Sequence, residues 1–307
     1  MSATATRQAF GEALVKIGSD PRVVVIDGDT KNSTMTDLFA EQYPDRFVEL
    51  GIAENNMLGV AAGLALSGKI PWAATFATFI VGRLEVLRMS VAYNEANVRI
   101  VGTHVGVGIG DDGASQMALE DVAALRSLPN VAIIQPCDRL ETIQAVEYLL
   151  DHVGPAFLRL TRQKLDDVHA EGYRFVFGKA DTLRQGSDVT FVATGSLVQE
   201  ALAAAKALEG ERVSAGVLNI HTIKPLDADA ILAASRNTGR VITAEDHNVN
   251  GGLGSAVAEV LAEGGVQARF RRVGLREFGE SGSQQELYDR FGLSATHLAD
   301  AARALMS

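Results

Sequence analysis

The chain has 307 residues, enough for two ordinary domains, and 47% of them are hydrophobic, enough for a sizeable core. Its net charge of −10 lacks the basic face of a nucleic-acid binder, and the lone cysteine, Cys137, excludes an intrachain disulfide and a thiolate metal cluster. No run approaches the roughly 18 apolar residues of a membrane span and residues 2–10 hold no apolar signal region, so a reduced, cytoplasmic location without membrane partners is expected.

Residues 6–18 read as a short helix with Phe10, Leu14 and Ile17 on one face. Residues 23–26 are apolar at every position, as in a strand covered on both faces, and Asp27-Gly28-Asp29 forms the turn after it. A second extended run, 47–50, stops at Gly51, and Glu54 opens a small apolar helix reaching about Gly68. That order sets a carboxylate at the C-terminal edge of a strand, where open α/β sheets bind ligands. The plainer alternative is an acid that complements the helix dipole.

A strand at 71–75 and a helix at 79–94 follow, then a strand at 98–103 with His104 directly after it. Gly106, Gly108, Gly110 and Gly113 make 105–113 a mobile or tightly turned loop. Helices at 118–127 and 139–150 alternate with strands at 131–135 and 156–160, and Thr161-Arg162-Gln163 ends the last strand. The mixed polar stretch 164–178 reads as a linker between domains at 1–165 and 178–307. The second unit has strands at 189–194, 213–220, 241–244 and 269–273. Its helices are 197–208, 227–234, one opened by Gly251-Gly252-Leu253-Gly254, and 295–306. The alternation predicts an α/β chain of two doubly wound domains with mostly parallel sheets, the second smaller.

Asp29 with Ser33, Glu54, Phe76 with Phe79, His104 and Arg162 all fall just after predicted strands, and in a parallel sheet those positions share one edge. Singly, each has a bland reading: a turn former, core aromatics, a buried histidine, a surface ion pair. Together, Gly51-Ile52-Ala53-Glu54-Asn55-Asn56, Thr75-Phe76-Ala77-Thr78-Phe79, Thr103-His104, Gly108-Ile109-Gly110-Asp111-Asp112-Gly113-Ala114-Ser115, Ser127-Leu128-Pro129-Asn130 and Leu160-Thr161-Arg162-Gln163 resemble the transketolase family in order and spacing. Glu245-Asp246-His247 and Gly251-Gly252-Leu253-Gly254-Ser255-Ala256 resemble the carboxy-terminal domain of the same enzymes. The Gly-Asp-Gly and spaced Asn-Asn of the family's diphosphate-binding domain have no counterpart, since Asp27-Gly28-Asp29 departs from that pattern and Asn55-Asn56 belongs to the Glu54 motif.

The resemblance therefore implies the pyrimidine-binding and carboxy-terminal domains, the second subunit of a split transketolase. It implies thiamine diphosphate as cofactor, with Mg²⁺ bound mainly by an N-terminal diphosphate-binding partner subunit. A dimer of this chain within a two-plus-two heterotetramer is the expected assembly. The implied reaction transfers a two-carbon ketol unit from a ketose phosphate to an aldose phosphate. Glu54 matches the carboxyl that bonds the cofactor ring nitrogen, beside Ile52. Phe76 and Phe79 match the aromatics that hold the ring, where stacking adds roughly 0.5–1.5 kcal/mol, and Asp29 matches a residue near the cofactor. His104 matches a histidine that contacts the sugar, and Asp112 the acid that reads a donor hydroxyl. Ser33 and Arg162 match phosphate-binding groups.

Gln116 stands where the family usually has histidine, and Gly82 where an aromatic is common, which together imply altered donor specificity. Related alternatives are the β subunit of a 2-oxo acid dehydrogenase and a 1-deoxyxylulose-5-phosphate synthase-like enzyme. An alternative of another class is a non-catalytic regulatory protein on the same fold. Glu245, Asp246 and His247 read as structural rather than catalytic.

Overall fold

The computed structural model describes residues 3–307. Its strands in the first half are β1 (Thr4–Ala5), β2 (Val23–Asp27), β3 (Phe47–Glu49), β4 (Ile70–Phe76), β5 (Arg99–Thr103), β6 (Ala132–Ile134), β7 (Ala156–Arg159) and β8 (Lys164–Leu165). The second half adds β9 (Asp181–Arg184), β10 (Val189–Ala193), β11 (Ala215–Asn219), β12 (Thr222–Lys224), β13 (Arg240–Asn248) and β14 (Arg269–Leu275). The seven-stranded sheet has the order β12-β6-β7-β5-β4-β2-β3 and the five-stranded sheet β14-β13-β10-β11-β9, while β1 and β8 form a separate pair. Strands β2 to β7 pair in parallel, so their carboxyl ends lie along one edge.

The all-apolar runs follow from cover on both faces. Val24 and Ile26 of β2, Ala73 of β4, Ile100 of β5 and Phe157 of β7 pack in one core with Met57, Leu58 and Ala61 of the helix Glu54–Leu66. Their neighbours Val23, Val25, Trp72, Val101 and Leu158 enter the opposite core with Phe10, Leu14 and Val146. Each fully buried large side chain contributes about 1.5–3 kcal/mol. The second sheet alternates likewise, with Phe191, Val217 and Ile242 on one side and Val192, Leu218 and Val241 on the other. No helix among the described residues is long and apolar enough to cross a membrane.

Several elements differ from the sequence expectation. The helix expected over 79–94 is broken into Ala77–Val81, Leu84–Val86 and a π-helical turn, Leu87–Ala92. Gly82, a poor helix former, stands at the end of the first piece. Two short helices, Lys31–Thr34 and Asp37–Gln42, follow the β2 turn. The stretch read as a linker is partly structured: β8 pairs with β1, and His169 is buried. Strand β12, from the second half of the sequence, adds an antiparallel edge to the first sheet. Strand β9 and the helix Gln284–Arg290, held by a Ser283–Glu286 capping box, were not legible as elements.

The two sheets are joined by a shared core and by buried polar groups. Val107, Ile109, Met117, Leu119 and Cys137 from the first half pack with Phe191, Leu197 and Tyr288 from the second. The glycine-rich loop is tightly turned and buried. Asp246 accepts from the backbone N–H of Val107 at 2.8 Å and of Gly108 at 3.1 Å, and the Tyr288 hydroxyl donates to it at 3.0 Å. Gly106 has φ +76°, and a methyl group there would fall 2.1 Å from Asp246 Cγ, so only glycine lets the loop approach. Buried Arg159 forks onto Asp121 at 2.6 and 3.1 Å and reaches the Asp246 carbonyl at 3.0 Å.

Glu245 accepts from the N–H groups of Leu253 and Gly254 at the start of the helix Leu253–Glu263. Burial pushes its carboxyl up to about 7. His247, which burial pushes down to about 4, bonds the Asn248 carbonyl at 2.6 Å. All three of these residues thus hold the fold together.

A second clamp links the N-cap of the helix Arg139–Asp151 to β9. The His169 ring lies between Asp138 at 2.7 Å and Asp181 at 3.0 Å. Burial works against its charge, but the two carboxylates outweigh that and push the imidazole up to about 10. A raised histidine stabilises fully below its unfolded value near 6.5, and the contribution is lost as pH rises through about 10. Urea unfolding near pH 7 and near pH 10 should therefore show a loss of stability at high pH that His169→Asn diminishes. An unchanged pH profile in that variant would remove the clamp from the account.

Candidate active site

The carboxyl edge of the first sheet collects most of the residues singled out in the sequence. Phe76 ends β4 and stacks on Phe79, with centroids 5.3 Å apart and planes 8° apart. On the other side Phe76 stacks on the His104 ring at 3.7 Å and 18°. His104 follows β5 with φ 59°, a left-handed conformation that costs about 1–3 kcal/mol and is held by its surroundings. Its ring is buried, and Nδ1 lies 2.9 Å from Thr103 Oγ1. The Thr103 hydroxyl donates onward to the Thr75 carbonyl at 3.4 Å, so Nδ1–H donates to Thr103 and the Nε2 lone pair points outward. Burial, with the Arg7 and Arg162 guanidiniums nearby, pushes the imidazole down to about 3, so it is neutral.

Asp112 Oδ2 sits 4.0 Å from His104 Nε2 and 3.5 Å from Arg162 Nη1. Since His104 is neutral, the first contact is not an ion pair. Two acceptors face one gap, an arrangement that suits donation by hydroxyl groups. Arg162 donates to the Ile109 carbonyl at 2.7 Å, which ties it to the glycine loop. Arg7, which sequence reasoning passed over, donates to the Ser33 carbonyl at 2.6 Å. Burial, then the Arg162 charge, lowers its guanidinium below the ordinary value. A cavity of about 280 Å³ is lined by Arg7, Arg162, Ile109 and Gly110, with Ser283 and Gln284 closing it from the second domain. Arg7 lies in the helix Thr6–Ile17, and only the fold shows that it meets Arg162.

Glu54 starts the helix Glu54–Leu66 after β3 and is 6% exposed. Its one polar side-chain partner among the described residues is Arg83, 3.4 Å from Oε2. Arg83 reaches it from the break after Gly82, a partner that an unbroken helix did not suggest. Met57 and Leu58 of the same helix are fully buried, whereas Ile52, expected beside Glu54 at the cofactor, is 82% exposed. Asp29 is exposed at φ 65°, and its N–H donates to Glu49 at 2.8 Å. The turn is anchored instead by buried Asp27, which accepts from Thr30, Thr34 and Thr36. Ser33 is half-buried beside Arg7. The Gln116 side chain makes no hydrogen bond among the described residues, and its backbone N–H donates to the Gly113 carbonyl at 3.0 Å.

Cys137, Asp138 and His169 lie close enough to share a cation, but Asp138 and His169 are spent on the clamp to β9. Burial also pushes the Cys137 thiol well up, away from thiolate.

The family model of the transketolase pyrimidine-binding domain matches residues 2–167, and that of the transketolase C-terminal domain matches residues 178–298. A 6-deoxy-6-sulfo-D-fructose transketolase subunit from Clostridium sp. (strain MSTE9) is 42% identical over 92% of this chain and 88% of its own. Human transketolase is 40% identical over 99% of this chain but only 49% of its own, so the chain spans about half of that enzyme. The solved structure of a split-gene transketolase, described as an inactive β4 tetramer, superposes with a TM-score of 0.90 at 41% identity, covering 99% of both chains. By its domains, its relatives and its fold, this chain belongs to the transketolase family.

Proposed function

We propose that this chain is the ring-binding half of a two-chain transketolase. It moves a two-carbon ketol unit from a ketose phosphate to an aldose phosphate when a partner subunit supplies the diphosphate and Mg²⁺ site. Residues 1–165 act as the pyrimidine-binding unit and 178–307 as the carboxy-terminal unit. The observation that carries this reading is the stack of Phe79, Phe76 and His104, with Asp112 and Arg162 facing it across one gap, on the sheet edge that also bears Glu54.

The ring end of thiamine diphosphate fits these residues. Glu54 is buried and, among the described residues, has only a long side-chain contact to Arg83, which leaves its carboxyl able to bond a ring nitrogen. Phe76 and Phe79 present parallel rings on the same edge, with Asp29 at the turn after β2 and exposed Ile52 just before the Glu54 helix. Bound there, the cofactor supplies a nucleophilic carbon for a ketose carbonyl. Glu54 holds a proton between its carboxyl and the ring nitrogen. Phe76 and Phe79 fix the ring plane, and the buried wall of Met57 and Leu58 keeps water from the Glu54 bond. His104 contacts the sugar at the reacting centre, accepting a hydroxyl at Nε2, and Asp112 accepts a second. That pair rejects sugars lacking those hydroxyls. Gln116 faces the donor as an uncharged group. Arg162, Arg7 and Ser33 take the phosphate, the guanidiniums by their planar forks.

The related β4 tetramer, inactive by its description, supports self-association of this chain and the need for a second subunit. The 82% exposure of Ile52 beside the site supports a surface to be covered in the complete enzyme. A cytoplasmic two-plus-two heterotetramer goes with this reading.

Calorimetric titration of thiamine diphosphate with Mg²⁺ tests it. The chain alone should bind weakly, and the chain with its partner subunit should bind tightly and turn over a ketose phosphate. Tight binding by the chain alone, or no turnover by the pair, would overturn the assignment. In the pair, Arg7→Ala and Arg162→Ala should each raise KM for phosphorylated sugars by about tenfold to a hundredfold, with a smaller effect on unphosphorylated ketoses. Equal effects on both sugar classes would take the two arginines out of phosphate binding. The sulfosugar relative favours one second reading, in which the same arginines hold a sulfonate. Comparing a 6-sulfo with a 6-phospho ketose as donor separates the two.

A further inference from the structure

A cationic cavity in the second domain takes no part in the function proposed above. It lies between the open edge of β14 and the helix Ala295–Met306 and encloses about 650 Å³, within the roughly 300–1,000 Å³ usual for small-molecule sites. Among the described residues β14 pairs only with β13, which leaves its other side as an unpaired edge. The walls carry Arg271, Arg272, Arg276 and His297 against a single acid, Asp300, in a chain of net charge −10. Asp300 is already paired with Arg303.

The arginines differ in what they hold. Arg272 is tied down by the Val249 carbonyl at 2.8 Å and Ser255 Oγ at 3.2 Å. Neighbouring Arg290 and Arg303 each pair with two carboxylates. Arg271 and Arg276 have no hydrogen bond or ion pair among the described residues, although the chain holds 38 acidic residues. Phe270 and Phe291 add apolar walls, and Arg290 covers one face of Phe291 at 5.2 Å.

We propose that this cavity binds a phosphorylated small molecule, gripped by the Arg271 and Arg276 guanidiniums with His297 beside them. A net-negative protein repels anions except where local cations reverse the field, and a concave wall concentrates that reversal. Two free guanidinium forks match the oxygens of a phosphate or diphosphate group. Guarding the strand edge against pairing would also use cations, but that role needs no concavity.

Inorganic pyrophosphate is the probe, titrated calorimetrically at low ionic strength into the full chain. Arg7 and Arg162 offer a separate anion site, so R7A/R162A serves to silence it. The expected result is saturable binding that persists in R7A/R162A and weakens by about tenfold or more when R271A/R276A is added. R271K/R276K, which keeps the charge but loses the fork, should fall between them, and circular dichroism checks that each variant is folded. Binding that disappears in R7A/R162A, or survives R271A/R276A unchanged, overturns the proposal. So does a Glu-rich peptide that binds this face while pyrophosphate does not, since it would make the edge a peptide-docking strand.

Discussion

Glu54→Gln should lower kcat of the assembled two-chain enzyme by about 10²- to 10⁴-fold, the usual worth of a positioned proton-transfer group. The substitution is nearly isosteric. Gln retains an oxygen acceptor and N–H donors, but it cannot hold and release a proton at a ring nitrogen. Stability should change little, because an acid in the first helical turn is worth about 0.3–1 kcal/mol, and Met57, Leu58 and Ala61 continue to anchor the helix. Steady-state kinetics, paired with thermal unfolding of the same sample, reads both. Activity within about tenfold of the parent in a folded variant would assign Glu54 to helix capping.

Asp246→Ala should cost about 2–6 kcal/mol of stability, from two buried donors left unmet at about 1–3 kcal/mol each. The Val107 and Gly108 N–H groups lose their acceptor in a buried place that water does not readily enter. Each unmet donor costs about 1–3 kcal/mol, and the Tyr288 hydroxyl loses a partner as well. The consequence reaches the site, because the loop held by Asp246 carries Ile109, whose carbonyl orients Arg162, and leads into Asp112. KM for a ketose phosphate should therefore rise even where the variant is folded. Gly106→Ala should reproduce the effect from the other side of the contact, since its methyl meets the Asp246 carboxylate. Urea denaturation of the two variants checks the magnitude. A loss below about 1 kcal/mol would show that the loop finds other acceptors.

Glu54, Phe76, Phe79, His104 and Arg162 were legible because each follows an apolar run at the end of a parallel strand. Topology then brings them to one edge whatever the loops do. The final helix, Ala295–Met306, was legible to the residue, since its apolar positions recur at helical spacing and bury Leu298, Ala299 and Ala302. Arg7 was hidden. Nothing in its local sequence separates it from a surface cation, and its meeting with Arg162 depends on contacts more than 150 residues apart. Arg83 was hidden by the expectation of an unbroken helix across Gly82. Ile52 was placed beside Glu54 from its position in the motif, and its exposure was hidden, because apolar character alone does not say which way a side chain turns at a strand-to-helix corner.

The sequence by itself determined two α/β units, the parallel order that gives them a common edge, the family, and most of the groups on that edge. Those features follow from local patterns: runs of apolar residues, glycines at turns, and polar residues just after strands. The structural role of Glu245, Asp246 and His247 was legible too; only the tertiary structure decided which backbone groups they hold, that β12 crosses into the first sheet, and that His104 is neutral beside two guanidiniums. Each of these depends on burial and on partners remote in the chain. Desolvation and long-range hydrogen bonds arise only when the chain has folded, so they leave no local pattern to read.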